Sequence, residues 1–251
     1  MPVCQFQHDR INSLRAFCCA AIIIPDGFPL SMNSPAAYEL PLFPLRAVLF
    51  PGMPLPLHVF EARYKTLIQE CLRDNALFGV VLLKSWPEAG AAAETHTVGT
   101  STRIVNVERL PAGRFNIETL GQERFRILEL RHHRPYLAAL VENYPLPDGD
   151  SPVAQSLATR LRPWVARYMA LLSKAAETPF DAGRLPTDPL ALAYLAAILL
   201  QTPMTTKQTL LAMPTAVDLL ETERAIFRSE IPLLDTLVSY APSDEMPFSV
   251  N

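Results

Sequence analysis

The segment Leu40–Tyr64 restricts the fold more than any other part of the chain. Its sequence, LPLFPLRAVLFPGMPLPLHVFEARY, predicts a strand at Leu42–Phe50, a turn at Pro51-Gly52 and a second, proline-rich strand at Met53–Leu57. Proline presets φ, and glycine accepts the positive φ that a type II turn requires. A helix is predicted to begin near Val59. The segment therefore predicts a strand–turn–strand–helix unit.

The composition favours a globular protein with a sizeable core. The chain has 251 residues, of which 49% are hydrophobic and 19% charged, and its formal net charge is −3. This length corresponds to one large domain or two small ones. The slight acidity gives no reason to expect a nucleic acid or an anionic membrane as a partner.

The four cysteines and the apolar segments predict a cytoplasmic protein. Cys4, Cys18, Cys19 and Cys71 contain no C-x-x-C pair, and a reducing compartment is the simplest interpretation. The longest apolar stretch, Pro189–Leu200, is shorter than the ~20 residues that a transmembrane helix needs.

The clearest helix is predicted at Phe60–Leu72. Glu61 lies in its first turn, where a negative charge suits the helix dipole. The helix is predicted to end at Asp74-Asn75, because Asn tolerates the left-handed conformation. Cys71 is expected to pack in the core rather than to act as a nucleophile. One helical face collects the apolar residues Phe60, Tyr64, Leu67, Ile68, Cys71 and Leu72.

After this helix the pattern is typical of β structure. The turn Pro111-Ala112-Gly113 predicts a hairpin. Short strands separated by turns predict a small β-barrel or a strongly curved sheet, with the helix covering one opening or edge. The predicted strands are Phe78–Leu83, Thr100–Arg109, Arg114–Leu120, Gln122–Leu130 and Tyr136–Tyr144.

Beyond the proline-rich segment Pro145–Pro152 the pattern is helical. Pro163 is expected to kink or split the first helix, and Pro232 to bend the last third of the final one. The stretch Leu190–Leu200 is apolar nearly all round and is expected to form the central helix. Helix starts are predicted at Ser151-Pro152, Asp188-Pro189, Thr205 or Thr206, and Pro214-Thr215.

These boundaries predict four regions. Residues 1–36 form a flexible N-terminal extension, and Met32 is an alternative start. Residues 37–146 form a β-rich subdomain and residues 151–240 a helical one. Residues 241–251 form a frayed tail.

Several motifs together resemble the substrate-binding domain of Lon, the N-terminal domain of the ATP-dependent protease La (peptidase S16 family). The helix opening LHVFEARY and the strand GQERFRI carry this resemblance most specifically. It implies an α+β fold: a small, PUA-like barrel or curved antiparallel sheet with one covering helix, followed by a helical bundle. The residues matching the family pattern, expected to be mainly structural, are Pro44, Phe50, Pro51, Gly52, Phe60, Glu61, Arg63, Tyr64, Gly99, Gly121, Arg124 and Phe125.

The resemblance implies a stand-alone domain that binds polypeptides or a partner protein and is not an enzyme. No G-x-x-x-x-G-K-[ST] motif occurs, and none of the four lysines lies in a segment resembling the protease module with its Ser-Lys dyad. No catalytic residue, metal ligand or cofactor is expected, and the partner-binding residues are unknown. The alternative is a dedicated adaptor or structural module for one folded partner; an ATP-dependent serine peptidase would follow from the family label alone.

Three charged pairs leave alternatives open. His132-His133 could bind a metal ion or phosphate, or form part of a solvated surface. Arg124 and Arg126 could present a basic face to acidic partners, or lie on the outward face of a half-buried strand. Glu61 and Arg63 could recognise a partner, or tie the helix to the barrel by an ion pair. An apolar groove at the junction of the two halves is the first place expected to bind polypeptides.

Overall fold

The computed structural model describes residues 37–84, 94–176 and 185–239. The predicted extension at 1–36, with Met32, and the predicted tail at 241–251 lie outside these ranges. Across the described ranges, no helix combines the length and the apolar character needed to span a bilayer.

The described strands form one six-stranded sheet in the order β2-β5-β4-β3-β1-β6. The far part of β5 also pairs with β6, so the sheet curves back on itself while β2 stays at an edge. The α+β class and the curved sheet are therefore confirmed. The strands are β1 (Tyr38–Leu45), β2 (Pro54–Val59), β3 (Phe78–Leu82), β4 (Val98–Leu110), β5 (Arg114–Arg131) and β6 (Ala138–Asn143).

The sheet is mixed and not antiparallel throughout, because β1 and β3 are parallel. A parallel pair needs a crossover connection, and here the intervening chain supplies β2 and a helix. The first strand also ends earlier than predicted. It pairs with β6 through its first half and with β3 through Leu42–Leu45, after which the chain leaves the sheet and Phe50 packs into the core.

Strand β5 is one long strand where the sequence predicted two. Opposite Ser101 of β4, β5 carries two residues, Gln122 and Glu123, which form a bulge. The Ser101 hydroxyl accepts from the N–H of Glu123 and donates to its carbonyl, at 3.1 Å each. The side chain thus takes up the main-chain groups that the bulge would leave unpaired, and the strand continues.

Helix α1 (Ala62–Asp74) packs against the sheet. Its predicted apolar face is confirmed at Tyr64, Leu67, Ile68 and Cys71, which are buried. Its end at Asn75, which adopts the left-handed conformation with φ 49°, is also confirmed. Phe60 was predicted on the buried face, but it precedes the helix and its side chain is 61% exposed.

Four helices follow: α2 (Pro152–Ala176), α3 (Pro189–Leu199), α4 (Met204–Leu211) and α5 (Ala216–Ser239). Three predicted caps are confirmed, because Ser151, Asp188 and Thr215 each accept a hydrogen bond from the N–H three residues later. Pro163 does not split α2, and α4 begins after Pro203 without a threonine cap.

The sheet and the helices share one continuous apolar core. Residues 191–199 of α3 are all buried, which confirms the predicted central helix. A smaller cluster on the other side of the sheet contains Leu42 and Phe125. Because the large core is continuous, a division into two units near residues 146–151 remains a prediction.

Candidate binding cleft

An open cleft lies between the last turns of α1 and the hairpin that joins β4 to β5. In this hairpin Ala112 (φ 61°) and Gly113 (φ 66°) adopt positive φ, as the predicted Pro-Ala-Gly turn requires. The Lys65 Nζ on α1 donates to the carbonyl of Ala112 at 2.9 Å and so fixes the helix to the hairpin tip. The cleft has a volume of about 490 Å³.

The cleft combines an apolar floor with a cationic rim. Leu72, Leu110 and Phe115 supply the apolar surface, and Arg73, Arg109 and Arg114 supply three guanidinium groups. Volumes of this size are typical of sites that hold side chains or small ligands.

The three arginines differ in how far their donors are already used. Both Nε and Nη2 of Arg73 donate to the carboxylate of Asp74, at 2.8 and 2.7 Å, and this contact lowers the pKa of Asp74. Arg114 uses only Nε, which donates to the carbonyl of Pro111 at 3.1 Å. The guanidinium of Arg109 makes no hydrogen bond or ion pair within residues 37–84, 94–176 and 185–239. Arg109 and Arg114 therefore keep donors for an external partner.

The free edge of β2 is poorly suited to strand addition. The carbonyls of Met53 and Leu55 face β5, where they accept from the Gly121 N–H and the Thr119 hydroxyl. The main-chain hydrogen-bonding positions of the alternate residues, Pro54 and Pro56, therefore point away from β5, toward the free edge. Proline has no N–H, so this edge offers almost no donors to an extended segment, which is a common protection of edge strands.

At the junction of the sheet with the helices, buried polar contacts accompany the shared apolar core. The apolar groove expected at this junction stays a prediction. Arg124 of β5 is 2% exposed, and its Nη1 donates to the carbonyls of Leu211 (2.5 Å) and Met213 (2.9 Å) at the end of α4. Gln208 of α4 donates to the carbonyl of Val98 in β4 at 3.0 Å. Neither sequence interpretation of Arg124 is therefore correct, because this arginine faces the helices.

Arg126, by contrast, is exposed as expected and pairs with Glu142 at 2.8 Å. Both arginines lie over the ring of Tyr144, with each guanidinium carbon 4.7 Å from the centroid. Strand β5 thus carries a buried arginine, Arg124, which joins the sheet to the helices, and an exposed one, Arg126.

Two further ionisable groups are buried near this junction. Glu223 of α5 is 0% exposed, and desolvation raises the pKa of its carboxyl well above the usual value. Lys207 of α4 donates to the carbonyl of Ile198 at 3.0 Å, and burial lowers its pKa to about 8. Both groups therefore favour their neutral forms in the folded protein more than in water.

The predicted turn and its glycine are packed against β5. Phe50 is fully buried, and Gly52 has φ 77° after Pro51, as a type II turn requires. A Cβ built on Gly121 would lie 2.3 Å from the carbonyl oxygen of Phe50, so only glycine allows this approach.

Of the remaining predicted positions, Gly99 and Phe125 are buried and Pro44 is half-buried. A Cβ on Gly99 would lie 2.5 Å from the carbonyl oxygen of Val80. Pro44 pairs with Val81 between β1 and β3, and Phe125 is fully buried in the small cluster.

Glu61 and Arg63 do not tie α1 to the sheet, so that interpretation is wrong. They pair with each other at 2.8 Å, and their side chains are 41% and 54% exposed. Tyr64 makes the connection instead, because its ring stacks on Phe43 of β1 with centroids 4.1 Å apart.

The two adjacent histidines are exposed, as the solvated interpretation predicts. The Nε2 of His133 lies 3.4 Å from a carboxylate oxygen of Glu39, which Arg131 and Arg134 also contact. In the part of the chain that the structure describes, no group of three potential ligands could hold a metal ion.

Sequence reasoning did not single out Arg109, Arg114, Lys65 or Arg73 as a group. Arg109 and Arg114 flank the predicted hairpin turn, and Lys65 and Arg73 are eight residues apart on the predicted helix. These spacings could have indicated that Arg109 and Arg114 lie at the same end of the hairpin and that Lys65 and Arg73 lie on the same helix. The placement of the helix beside the hairpin is a tertiary fact that they do not contain.

The architecture defines the class: an α+β domain in which a helix packs on a curved mixed sheet and further helices complete the core. The family model of the ATP-dependent protease La (LON) substrate-binding domain matches residues 39–226. The chain belongs to this family.

The relatives and solved structures agree with this assignment. Lon protease 2 of Syntrophobacter fumaroxidans is 31% identical over 70% of this chain, and Lon protease of Anaeromyxobacter dehalogenans is 30% identical over 75%. The matched part spans only 22% and 24% of the length of these two proteins.

A crystal structure of a Lon N-terminal domain protein from Xanthomonas campestris has a TM-score of 0.55 and 28% identity, covering 75% of this chain and 98% of that one. The N-terminal domain of Lon protease from the Mycobacterium avium complex, at 16% identity and a TM-score of 0.53, covers 82% of this chain and all of that one, and shows the fold alone.

Proposed function

We propose that this protein binds polypeptides without chemically changing them, through surface contacts of the Lon-type domain. The observation that carries the proposal is the match of residues 39–226 to a family described as a substrate-binding domain. In Lon proteases the substrate is a protein, so a polypeptide is the ligand class that this family membership supports. The proposal places the activity in the cytoplasm, in keeping with the free, buried thiol of Cys71.

The exposed Phe60 is the first apolar contact that we assign to this binding. Phe60 stands in the LHVFEARY segment, which carries much of the family resemblance, yet its side chain is 61% exposed. Its main ring contact is His58, with centroids 5.9 Å apart. A large aromatic side chain that the core does not use is typical of binding surfaces.

The test compares an unfolded and a folded form of one protein. Reduced, carbamidomethylated ribonuclease A and native ribonuclease A are labelled with fluorescein, and binding is followed by fluorescence anisotropy. We expect the unfolded form to bind and the native form not to bind. Equal binding of both forms would favour a protein that recognises a folded partner, and no binding of either would contradict the proposal.

A matched pair of variants tests the contribution of Phe60. Phe60→Ser should weaken binding of the unfolded chain at least about tenfold, since burying one aromatic side chain contributes about 1.5–3 kcal/mol, which corresponds to about 10- to 150-fold. Leu233→Ser on α5 is the control, because Leu233 is equally exposed at 62%. Equal loss in both variants would remove Phe60 from the proposed surface.

Catalysis is tested separately. Only a substrate-binding domain is matched here, and we propose that the matched part does not cut its ligand. Fluorescent casein should stay intact with the purified protein, both with and without ATP and Mg²⁺. Degradation that persists through further purification steps would show the protein to be a peptidase.

A further inference from the structure

We propose that the cleft between α1 and the β4–β5 hairpin binds acidic segments of polypeptides through Arg109 and Arg114. This inference rests on the proposed function, since it names the class of polypeptide that the domain prefers. The hairpin and helix are positioned by their own contacts, so the cleft exists before a ligand arrives.

The local charge at the cleft is positive. Arg73, Arg109 and Arg114 line the cleft, and Lys65 binds the hairpin tip at Ala112. Among the described residues, Asp74 is the carboxylate that contacts one of these groups, Arg73. This cationic cluster stands in a chain whose formal net charge is −3. The local charge is therefore opposite in sign to that of the whole chain, which favours an anionic ligand at this place.

Two of the arginines that line the cleft keep hydrogen-bond donors that the described residues do not use. Arg73 is already paired with Asp74, but Arg109 has no partner in the described part of the chain, and Arg114 uses only its Nε. A guanidinium presents donors in a planar fork that matches a carboxylate. Arg109 and Arg114 can therefore each donate hydrogen bonds to a carboxylate without breaking an existing ion pair.

The floor of the cleft is apolar. Leu72 and Leu110 are partly exposed, and Phe115 closes the bottom beneath them. Apolar surface beside a guanidinium suits an aspartate or glutamate that has an aliphatic or aromatic neighbour. Free inorganic anions would leave this surface in contact with water.

A polypeptide fits this site better than a nucleic acid does. Glu108 and Glu118 lie on the same hairpin, where their carboxylates contact the side chains of Asn116 and Asn106. A phosphate backbone that continued past the cleft would meet these negative charges, whereas nucleic-acid binding requires a positive track along the strand.

The experiment measures two fluorescein-labelled peptides by anisotropy. In the first, glutamates alternate with leucine and phenylalanine, and in the second every glutamate is replaced by glutamine. The variant is R109E/R114E. The control is R103E/R160E, which changes the net charge equally at two exposed arginines outside the cleft. Urea unfolding of each variant confirms that it folds, and R109Q/R114Q repeats the test without added negative charge.

We expect the wild type to bind the glutamate peptide at least about tenfold more tightly than the glutamine peptide. R109E/R114E and R109Q/R114Q should lose this preference, and R103E/R160E should keep it. Equal loss in the control variant, or equal binding of both peptides, would overturn the inference. Displacement of the glutamate peptide by a single-stranded DNA oligonucleotide at a lower concentration than by unlabelled peptide would also overturn it.

The basic, unfolded ribonuclease A separates this inference from the proposed function. If unfolded ribonuclease A binds and the protein does not prefer the glutamate peptide to the glutamine peptide, only the acidic specificity is refuted. If neither ligand binds, both proposals are refuted.

Discussion

Replacing Arg124 with methionine is expected to destabilise the protein strongly. The Nη1 of Arg124 donates to two carbonyls at the end of α4, those of Leu211 at 2.5 Å and Met213 at 2.9 Å. Methionine has a similar length and no donor. Arg124→Met therefore removes both hydrogen bonds and leaves two carbonyls without this partner beneath the helices.

The structure allows the size of this effect to be worked out. Each buried acceptor left unpaired costs about 1–3 kcal/mol. Losing the contact of Arg124 with the Tyr144 ring costs about 0.5–2 kcal/mol. The Nε and Nη2 of Arg124 are buried without a hydrogen bond within the described residues, so removing the charge recovers part of its desolvation cost. We expect the free energy of unfolding to fall by about 2–4 kcal/mol.

Arg126→Met is the matched control. Arg126 lies two residues along the same strand, contacts the same ring and is 48% exposed in its pair with Glu142. Exposed ion pairs contribute about 0–1 kcal/mol. Urea unfolding, followed by circular dichroism at neutral pH, measures both variants. A difference below about 1 kcal/mol between them, with unchanged m-values, would refute the view that Arg124 joins the sheet to the helices.

Three further predictions concern buried or protected positions. Glu223→Gln should flatten the dependence of stability on pH. The pKa of Glu223 is raised in the folded protein, so the wild type is expected to lose stability as the pH rises above about 4.5. Urea titrations at several pH values measure this loss. Gly121→Ala should lower the free energy of unfolding by about 1–3 kcal/mol, because its Cβ would meet the Phe50 carbonyl; an unchanged urea midpoint would contradict the close approach. The double substitution Pro54→Val/Pro56→Val should promote self-association in sedimentation experiments, because it gives the free β2 edge two outward N–H donors; a strictly monomeric variant beside a monomeric wild type would contradict this explanation.

Much of the fold could be predicted because local signals were strong. The cap residues Ser151, Asp188 and Thr215 marked three helix starts, and the apolar spacing in α1 identified its buried face. The signals for the strands were weaker at their ends. Leu42–Phe50 is apolar throughout, and apolarity alone does not distinguish a strand from a loop that packs into the core.

The cleft could not be predicted because it is made by two elements that are distant in sequence. Arg73 and Arg109 are 36 residues apart in the sequence (109 − 73), and their proximity depends on α1 packing beside the hairpin. The prediction that Phe60 is buried was wrong for a local reason. Its spacing fits the helical face, but α1 begins two residues later, and the residue before the N-cap is free to turn outward.

The misassignment of Arg124 has a specific physical cause in the β5 bulge. Along Phe115, Ile117 and Thr119, odd-numbered residues are buried, and strict alternation would place Phe125 with them and Arg124 outward. The extra residue opposite Ser101 shifts the alternation by one. Arg124 therefore joins the face that the helices cover, while Phe125 enters the small cluster on the other side. Because both faces are covered at this point, the bulge converts a residue that alternation places on the surface into the link between sheet and helices.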